Sequence, residues 1–274
     1  MPDLPANAIR NLLDGIVVIA RGAGEAILRH YGAPIAIERK QDDSPVTAAD
    51  RDAEKFIVAA LRALTPGVPI IAEEEVAAGA GTDAGAARYW LVDPLDGTRE
   101  FISRNGEFTV NIALIEDARP TLGVVHAPAL GLLYAGAESL GAYVEEGGAR
   151  RPIRCRAVDE AALVVVSSRS HGDEAALRAF LGDCPLAAQR TAGSSLKFCT
   201  LARGEADAYP RLGRTMEWDT AAGHAVLRAA GGEVWSLADG RPLAYGKPGC
   251  ANPHFLAAAA PLAPVLRARL PLPT

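Results

Sequence analysis

Tyr89-Trp-Leu-Val-Asp93-Pro-Leu-Asp96-Gly-Thr98 is the stretch on which the reading of this chain turns. Four aromatic or apolar residues give the pattern of a buried strand, which breaks at Asp93-Pro94. Two aspartates then bracket Pro94-Leu95. Carboxylates at the end of an apolar strand do not have the water that an open surface gives them. The turn lets Asp93, the Leu95 carbonyl and Asp96 face one point. Gly97 and Thr98 follow with backbone N–H groups suited to a phosphate, and a helix beginning there adds its dipole.

Other acids sit at comparable places. Glu73, Glu74 and Glu75 end the strand pattern Pro69-Ile70-Ile71, Asp219 opens a helix directly after Trp218, and Asp50 lies in the first turn of another helix. Each has a plain alternative: a glutamate run is a solvated face, Asp219 an N-cap, and the hexapeptide from Asp93 to Thr98 a turn. Together, each at the end or start of an apolar element, they favour a site. Ionised carboxylates crowded at one place raise one another's pKa values, and a divalent cation resolves that conflict. Oxygen ligands with no His or Cys beside them indicate a hard ion, magnesium before calcium or manganese.

Working outward, apolar residues recur at helical spacing over residues 7–30, and 35–37 read as a short strand before the polar turn 41–45. Thr47 and Asp50 form a variant capping box for a helix whose apolar face runs through Phe56, Ile57, Ala60, Leu61 and Leu64. Residues 76–88, rich in Ala and Gly, read as a mobile surface loop. Strand patterns follow at 108–115, 121–126 and 132–135.

After about Arg156 strands and helices alternate: a strand at 163–166, helices at 173–181 and 195–202, a strand at 206–209, and a helix at 219–230 stopped by Gly231-Gly232. The expected class is α/β, with an α+β metal-binding half over 1–156 and an α/β substrate-binding half over 157–274. A cleft between two halves is a usual place for a small-molecule site.

The 274 residues carry a net charge of −5 and no basic run, so there is no nucleic-acid footprint. An anionic substrate must be attracted locally, by bound cations or a few placed basic groups. The four cysteines, Cys155, Cys184, Cys199 and Cys250, form no CxxC pair and read as buried free thiols. No run of 18 uncharged apolar residues exists, and residues 1–17 lack a basic segment followed by an apolar one. The expectation is a cytoplasmic enzyme with no integral membrane segment; peripheral association with the inner membrane and oligomeric state stay open.

The segments Ser44-Pro-Val-Thr-Ala-Ala-Asp50, Ile71-Ala-Glu-Glu74, Trp90 to Thr98 and Glu217-Trp-Asp-Thr-Ala-Ala222 resemble the lithium-sensitive, magnesium-dependent phosphatase superfamily that includes inositol monophosphatases and fructose-1,6-bisphosphatases. Within it, Arg104-Asn-Gly-Glu-Phe-Thr-Val-Asn-Ile-Ala113, Ser168-Arg-Ser-His171, Gly193-Ser-Ser-Leu-Lys-Phe-Cys199 and Trp218 to His224 resemble the bacterial 3′(2′),5′-bisphosphate nucleotidases of the CysQ type. The likeness spans about residues 7 to 260. It implies a layered αβαβα sugar-phosphatase fold. It also implies that Glu73, Asp93 and the Leu95 carbonyl hold a first magnesium and that Asp93, Asp96 and Asp219 hold a second. Asp50 would help a third ion through water, and Thr98 with Glu73 would orient the attacking water.

The nucleotidase branch implies hydrolysis of adenosine 3′,5′-bisphosphate to AMP and phosphate, and bears on 3′-phosphoadenylyl sulfate and sulfur assimilation. Its second phosphate needs a cradle, for which Ser195, Lys197 and Arg211 are the candidates, with Ser170 and His171 toward the nucleoside and Gly97, Thr98 and Asp219 toward the reacting phosphate. An inositol or sugar monophosphatase would not need the Lys197/Arg211 cradle. A non-catalytic metal-dependent sensor on the same scaffold would be favoured by loss of Thr98, Glu73 or a metal aspartate, and all are present. His126 and His224 sit in apolar contexts and read as core histidines.

Overall fold

The computed structural model describes residues 5–32, 37–39, 45–82, 86–169 and 174–271. Helix α1 (Ala6–Tyr31) leads into a two-residue ribbon, β1 (Glu38–Arg39) with β2 (Pro45–Val46), and helix α2 (Ala48–Leu64). The expected strand at 35–37 and the turn at 41–45 fall largely outside the described residues. The capping box forms as expected: Thr47 Oγ1 accepts from Ala49 N at 3.2 Å, and Asp50 Oδ2 accepts from Thr47 N at 2.8 Å. Such a cap is worth about 1 kcal/mol, and it fixes where Asp50 sits.

A seven-stranded sheet follows: β3 (Ile70–Ala72), then short helix α3 (Glu73–Ala77), β4 (Arg88–Asp96), short helix α4 (Thr98–Ile102), β5 (Thr109–Glu116), β6 (Arg119–Ala127), β7 (Leu132–Ala137), β8 (Gly141–Glu146) and β9 (Ala149–Ile153). Its strand order is sequential, antiparallel except where β3 runs parallel to β4. The glutamate run therefore opens a helix; the loop expected from 76 starts later, and 83–85 lie outside the described residues.

The remainder builds a five-stranded sheet of order β11-β10-β12-β14-β13. Its elements are β10 (Leu163–Ser168), α5 (Glu174–Leu181), β11 (Leu186–Ala192), α6 (Leu196–Ala202), β12 (Ala208–Arg211), α7 (Glu217–Ala229), β13 (Gly232–Ser236), β14 (Phe255–Ala259) and α8 (Pro264–Arg267).

Three clusters of buried side chains define the layers. Leu13, Ile16 and Ile27 of α1 and Ile57 and Leu61 of α2 pack on one face of the large sheet, against Trp90, Val92, Ile112 and Leu114. The other face, through Leu91, Ala113 and Ile115, packs on Phe198 of α6 and Trp218, Ala222 and Val226 of α7, which also meet Tyr209, Val234 and Phe255 of the small sheet. Leu163, Val165 and Leu256 on the far side of that sheet meet Leu177 and Leu181 of α5 and Leu266 of α8. The stack is αβαβα, as the resemblance implied. Strands buried on both faces need apolar residues at successive positions, as Ile112 to Ile115 provide.

Candidate active site

The strand that carries the first two aspartates does not end at Asp93; β4 continues to Asp96. Its register against β5 slips between Asp93, opposite Asn111, and Asp96, opposite Thr109, so three steps on β4 face two on β5. Residues three apart on a regular strand point to opposite faces. The extra residue of this bulge lets Asp93 and Asp96 line one cleft, and it accommodates Pro94, which has no N–H for a ladder. Asp93 Oδ1 accepts the Leu95 N–H at 3.0 Å, which fixes the carboxylate. Gly97 then takes φ +92°, where a Cβ would overlap Ser194 Oγ, and α4 begins.

Glu73 is the first residue of α3, and that helix start is held by a residue the sequence reading passed over. Glu54, buried on α2, accepts the N–H groups of Glu74 at 2.7 Å and Glu75 at 2.8 Å. Its signal was visible as an acid one turn beyond Asp50 on the same helix face. Burial pushes the Glu54 carboxyl up to about 7, against the pull of the Glu74 and Glu75 N–H groups that it accepts. A carboxyl whose pKa is higher folded than unfolded binds more protons when folded. Its contribution to stability is then full below the unfolded value near 4.5 and declines as pH rises toward 7. Thermal melts of the metal-free protein should therefore show midpoints falling from pH 5 to pH 7.5, and Glu54→Gln should flatten that slope. An unchanged slope in the variant would remove Glu54 as its source.

Asp219 is the third residue of α7, where its Oδ2 accepts the Met216 N–H at 2.8 Å. Oxygens of Glu73, Asp93 and Asp219 all lie within 4.8 Å of one another. Asp96 stands beside this trio, its Oδ2 receiving Ser195 Oγ at 3.1 Å and Asn111 Nδ2 at 3.4 Å. Burial raises the pKa of Asp219 well above the carboxylate range, and the charges of Asp96 and Glu73 raise it further. Asp96 is pushed up to about 6, burial again acting first, while Lys197 and Ser195 pull the other way. This is the like-charge conflict expected from the sequence. Hard oxygen donors from three elements, converging with their charges in conflict, fit a divalent cation. The trio draws Asp219 from beyond residue 157, so it spans both halves of the chain.

Asp50 is buried and reaches the cleft through Thr98. Its Oδ1 accepts from Thr98 Oγ1 at 3.2 Å, and its Oδ2 from Thr47 Oγ1 at 2.7 Å. The side chain thus orients Thr98, the first residue of α4.

Glu73, Asp93, Leu95, Asp96, Gly97, Thr98 and Asp219 line one cleft of about 580 Å³ together with Lys197 and Arg211. Lys197 is buried at the cleft wall, its Nζ donating to the Ser194 carbonyl at 2.5 Å and lying over the Tyr209 ring. Burial, with Arg211 adding, pushes its ammonium down to about 8, against the opposing pull of Asp96. Arg211 is half-buried and donates to the Arg214 carbonyl at 3.0 Å. Ser195 turns away from the cleft wall: buried, its hydroxyl lies 2.8 Å from the Asp219 carbonyl and 3.1 Å from Asp96 Oδ2, and Ser194 takes the lining position. Ser170 and His171 lie outside the described residues. The histidines read as core are held by protein partners: His224 between Glu233 and Tyr245, His126 on the Leu132 carbonyl at 3.0 Å.

The chain is similar to known proteins in sequence and in fold. The pattern of the Inositol monophosphatase family matches residues 9–268. The chain is 50% identical over 236 residues to the 3′(2′),5′-bisphosphate nucleotidase CysQ of Escherichia coli (strain K12), covering 85% of this chain and 94% of that protein. Among solved structures it is similar to CysQ from Bacteroides thetaiotaomicron, at TM-score 0.75 and 38% identity over 93% of this chain and 97% of the other. It is also similar to an inositol monophosphatase from Anabaena (Nostoc) sp. PCC 7120, at TM-score 0.73 and 26% identity over 95% of this chain and 94% of the other. A cleft lined by convergent carboxylates on the layered fold, and a match from residue 9 to residue 268, place this chain in the inositol monophosphatase family.

Proposed function

We propose that the chain is a magnesium-dependent phosphatase that hydrolyses the 3′-phosphate of adenosine 3′,5′-bisphosphate to AMP and phosphate. The observation that carries this reading is a carboxylate trio in one cleft with basic side chains, Lys197 and Arg211 among them. The half-identical nucleotidase relative supports the same substrate. Glu73, Asp93 and the Leu95 carbonyl would hold one ion, and Asp93, Asp96 and Asp219 a second, with a third, looser ion toward Asp50. When bound, magnesium supplies the positive charge that acidifies water and neutralises phosphoryl oxygens.

The protein groups supply positioning. Thr98, held by Asp50, and Glu73 orient water opposite the 3′-oxygen; a bond from that water to phosphorus forms as the bond to the 3′-oxygen breaks, the water giving up one proton and the departing 3′-oxygen gaining one. Backbone N–H groups of Gly97 and Thr98 face the transferred group, where a helix start favours anionic oxygens. Lys197 and Arg211 take the 5′-phosphate, with Ser195 acting behind them by holding Asp96 and the Asp219 backbone. Ser170 and His171 are assigned to the nucleoside. The metal-bearing half is 1–156, completed by Asp219, and 157–274 supplies the substrate wall. Among the described residues no helix is long and apolar enough to cross a membrane, and the proposed compartment is the cytoplasm.

The test is phosphate release with magnesium from adenosine 3′,5′-bisphosphate and from inositol 1-phosphate, side by side. The expected result is strong preference for the nucleotide, abolished by chelation. Preference for the inositol ester would keep the carboxylate chemistry and overturn the second-phosphate cradle.

A further inference from the structure

Three segments that the carboxylate chemistry does not use meet at one point. Glu107 stands between α4 and β5, Arg169 directly follows β10, and Gly193 directly follows β11. The Arg169 guanidinium donates to both oxygens of Glu107, Nε to Oε2 and Nη2 to Oε1, each at 2.8 Å. Glu107 Oε2 also accepts the Gly193 N–H at 2.8 Å. The approach is close: a Cβ at Gly193 would stand 2.7 Å from the Glu107 carbonyl oxygen. The next residue, Ser194, has φ +48°, a left-handed conformation unfavourable for any side chain, so its surroundings must impose it. Ser194 Oγ lies 2.6 Å from the Glu107 carbonyl and 2.8 Å from the Asp96 carbonyl.

The turn so held has consequences on both sides. Its Ser194 carbonyl receives Lys197 Nζ, and its Ser195 hydroxyl reaches Asp96 and the Asp219 backbone. Glu107 is not among the residues that line the cleft. Burial raises its carboxyl pKa, but Arg169 and the Gly193 N–H outweigh this, so it lies below the ordinary range and stays ionised at neutral pH.

We propose that Glu107 is a positioning residue for substrate binding, its carboxylate templating the strained Gly193–Ser194–Ser195 turn that sets Lys197 in the cleft through its bond to the Gly193 N–H, whereas its ion pair with Arg169 contributes stability alone. This inference builds on the phosphatase reading. The competing role is a plain ion pair across two segments, and the two roles separate by substitution. Glu107→Gln weakens the charged bond to Gly193, whereas Arg169→Met leaves that bond intact. Exchanging the pair, Glu107→Arg with Arg169→Glu, restores opposite charges but offers Gly193 no acceptor at position 107.

Glu107→Gln should raise KM for the bisphosphate about tenfold, the scale of a lost charged hydrogen bond, with kcat changed by less than about threefold. Arg169→Met should lower the melting midpoint with KM within about twofold, and the exchanged pair should stay as impaired in KM as Glu107→Gln. Hydrogen–deuterium exchange gives the readout that does not depend on substrate: the peptide spanning 192–197 should lose protection in Glu107→Gln and keep it in Arg169→Met. Restoration of KM and protection by the exchanged pair, or equal effects of the two single substitutions, would overturn the proposal. Failure of the nucleotidase reading would show instead in the wild type, as absent bisphosphate turnover, and exchange at 192–197 would still decide the role of Glu107.

Discussion

Asp93→Asn should abolish magnesium-dependent phosphate release while leaving the protein folded. The side chain is buried, and its Oδ1 accepts the Leu95 N–H, a bond that the Asn carbonyl oxygen keeps. What is lost is one negative charge within 4.8 Å of Glu73 and Asp219. Removing a single preorganised charge stabiliser costs on the order of 10² to 10³ in turnover, and a ligand assigned to both ions should lie at or beyond the upper end. In metal-free protein the substitution relieves like-charge repulsion, so its melting midpoint should be no lower than that of the wild type. A ligand that binds only the folded state raises the midpoint with concentration, and that magnesium-induced rise should disappear in the variant. Phosphate release and melts over a magnesium series measure both. Retained turnover would break the assignment of Asp93 as a ligand.

Much of this centre was legible because its residues announce themselves by context. An aspartate after Trp90-Leu-Val, a glutamate run after Ile70-Ile71 and an aspartate at a helix start are each odd for a soluble surface, and one cation explains them together. The helices α1, α2 and α7 were legible from their apolar spacing. What escaped was set by tertiary contact. Strand β11 carries Leu-Ala-Ala-Gln-Arg-Thr-Ala with nearly every side chain exposed, so no buried alternation marks it; it exists because it pairs in parallel with β10. The hairpin of β8 and β9 had a readable signal, Gly147-Gly148 between two strands, both with positive φ. Glu54 went unmarked, and Glu107 and Arg169, though inside segments that carry the family resemblance, showed no role of their own, because their partners, at 74, 75, 193 and one another, are distant in sequence. The placement of Ser195 was likewise a tertiary matter: whether it or Ser194 faces the cleft depends on the left-handed conformation of Ser194, which composition does not disclose.

Lys197→Met tests the part of the site that separates a bisphosphate nucleotidase from a monophosphatase. The stem of Lys197 is buried and Met fills comparable space, so the main loss is the charge. A charged hydrogen bond to a phosphate is worth about 1.5–3 kcal/mol, which predicts KM for adenosine 3′,5′-bisphosphate rising by about 10- to 100-fold. Adenosine 3′-monophosphate presents the same reacting ester without the 5′-phosphate, and its KM should change far less. The pH dependence supplies a second signature. Burial has brought the ammonium down to about 8, so the free enzyme loses this charge as pH rises through that value. The pH profile of kcat/KM reports groups of the free enzyme. For the bisphosphate it should fall above pH 8 in the wild type, and that limb should be missing both for the monophosphate and in Lys197→Met. Lys197 also donates to the Ser194 carbonyl, so a purely structural role would damage both substrates alike. Equal losses for the two esters would take the 5′-phosphate away from Lys197 and leave it to the arginines that line the cleft, Arg211 among them.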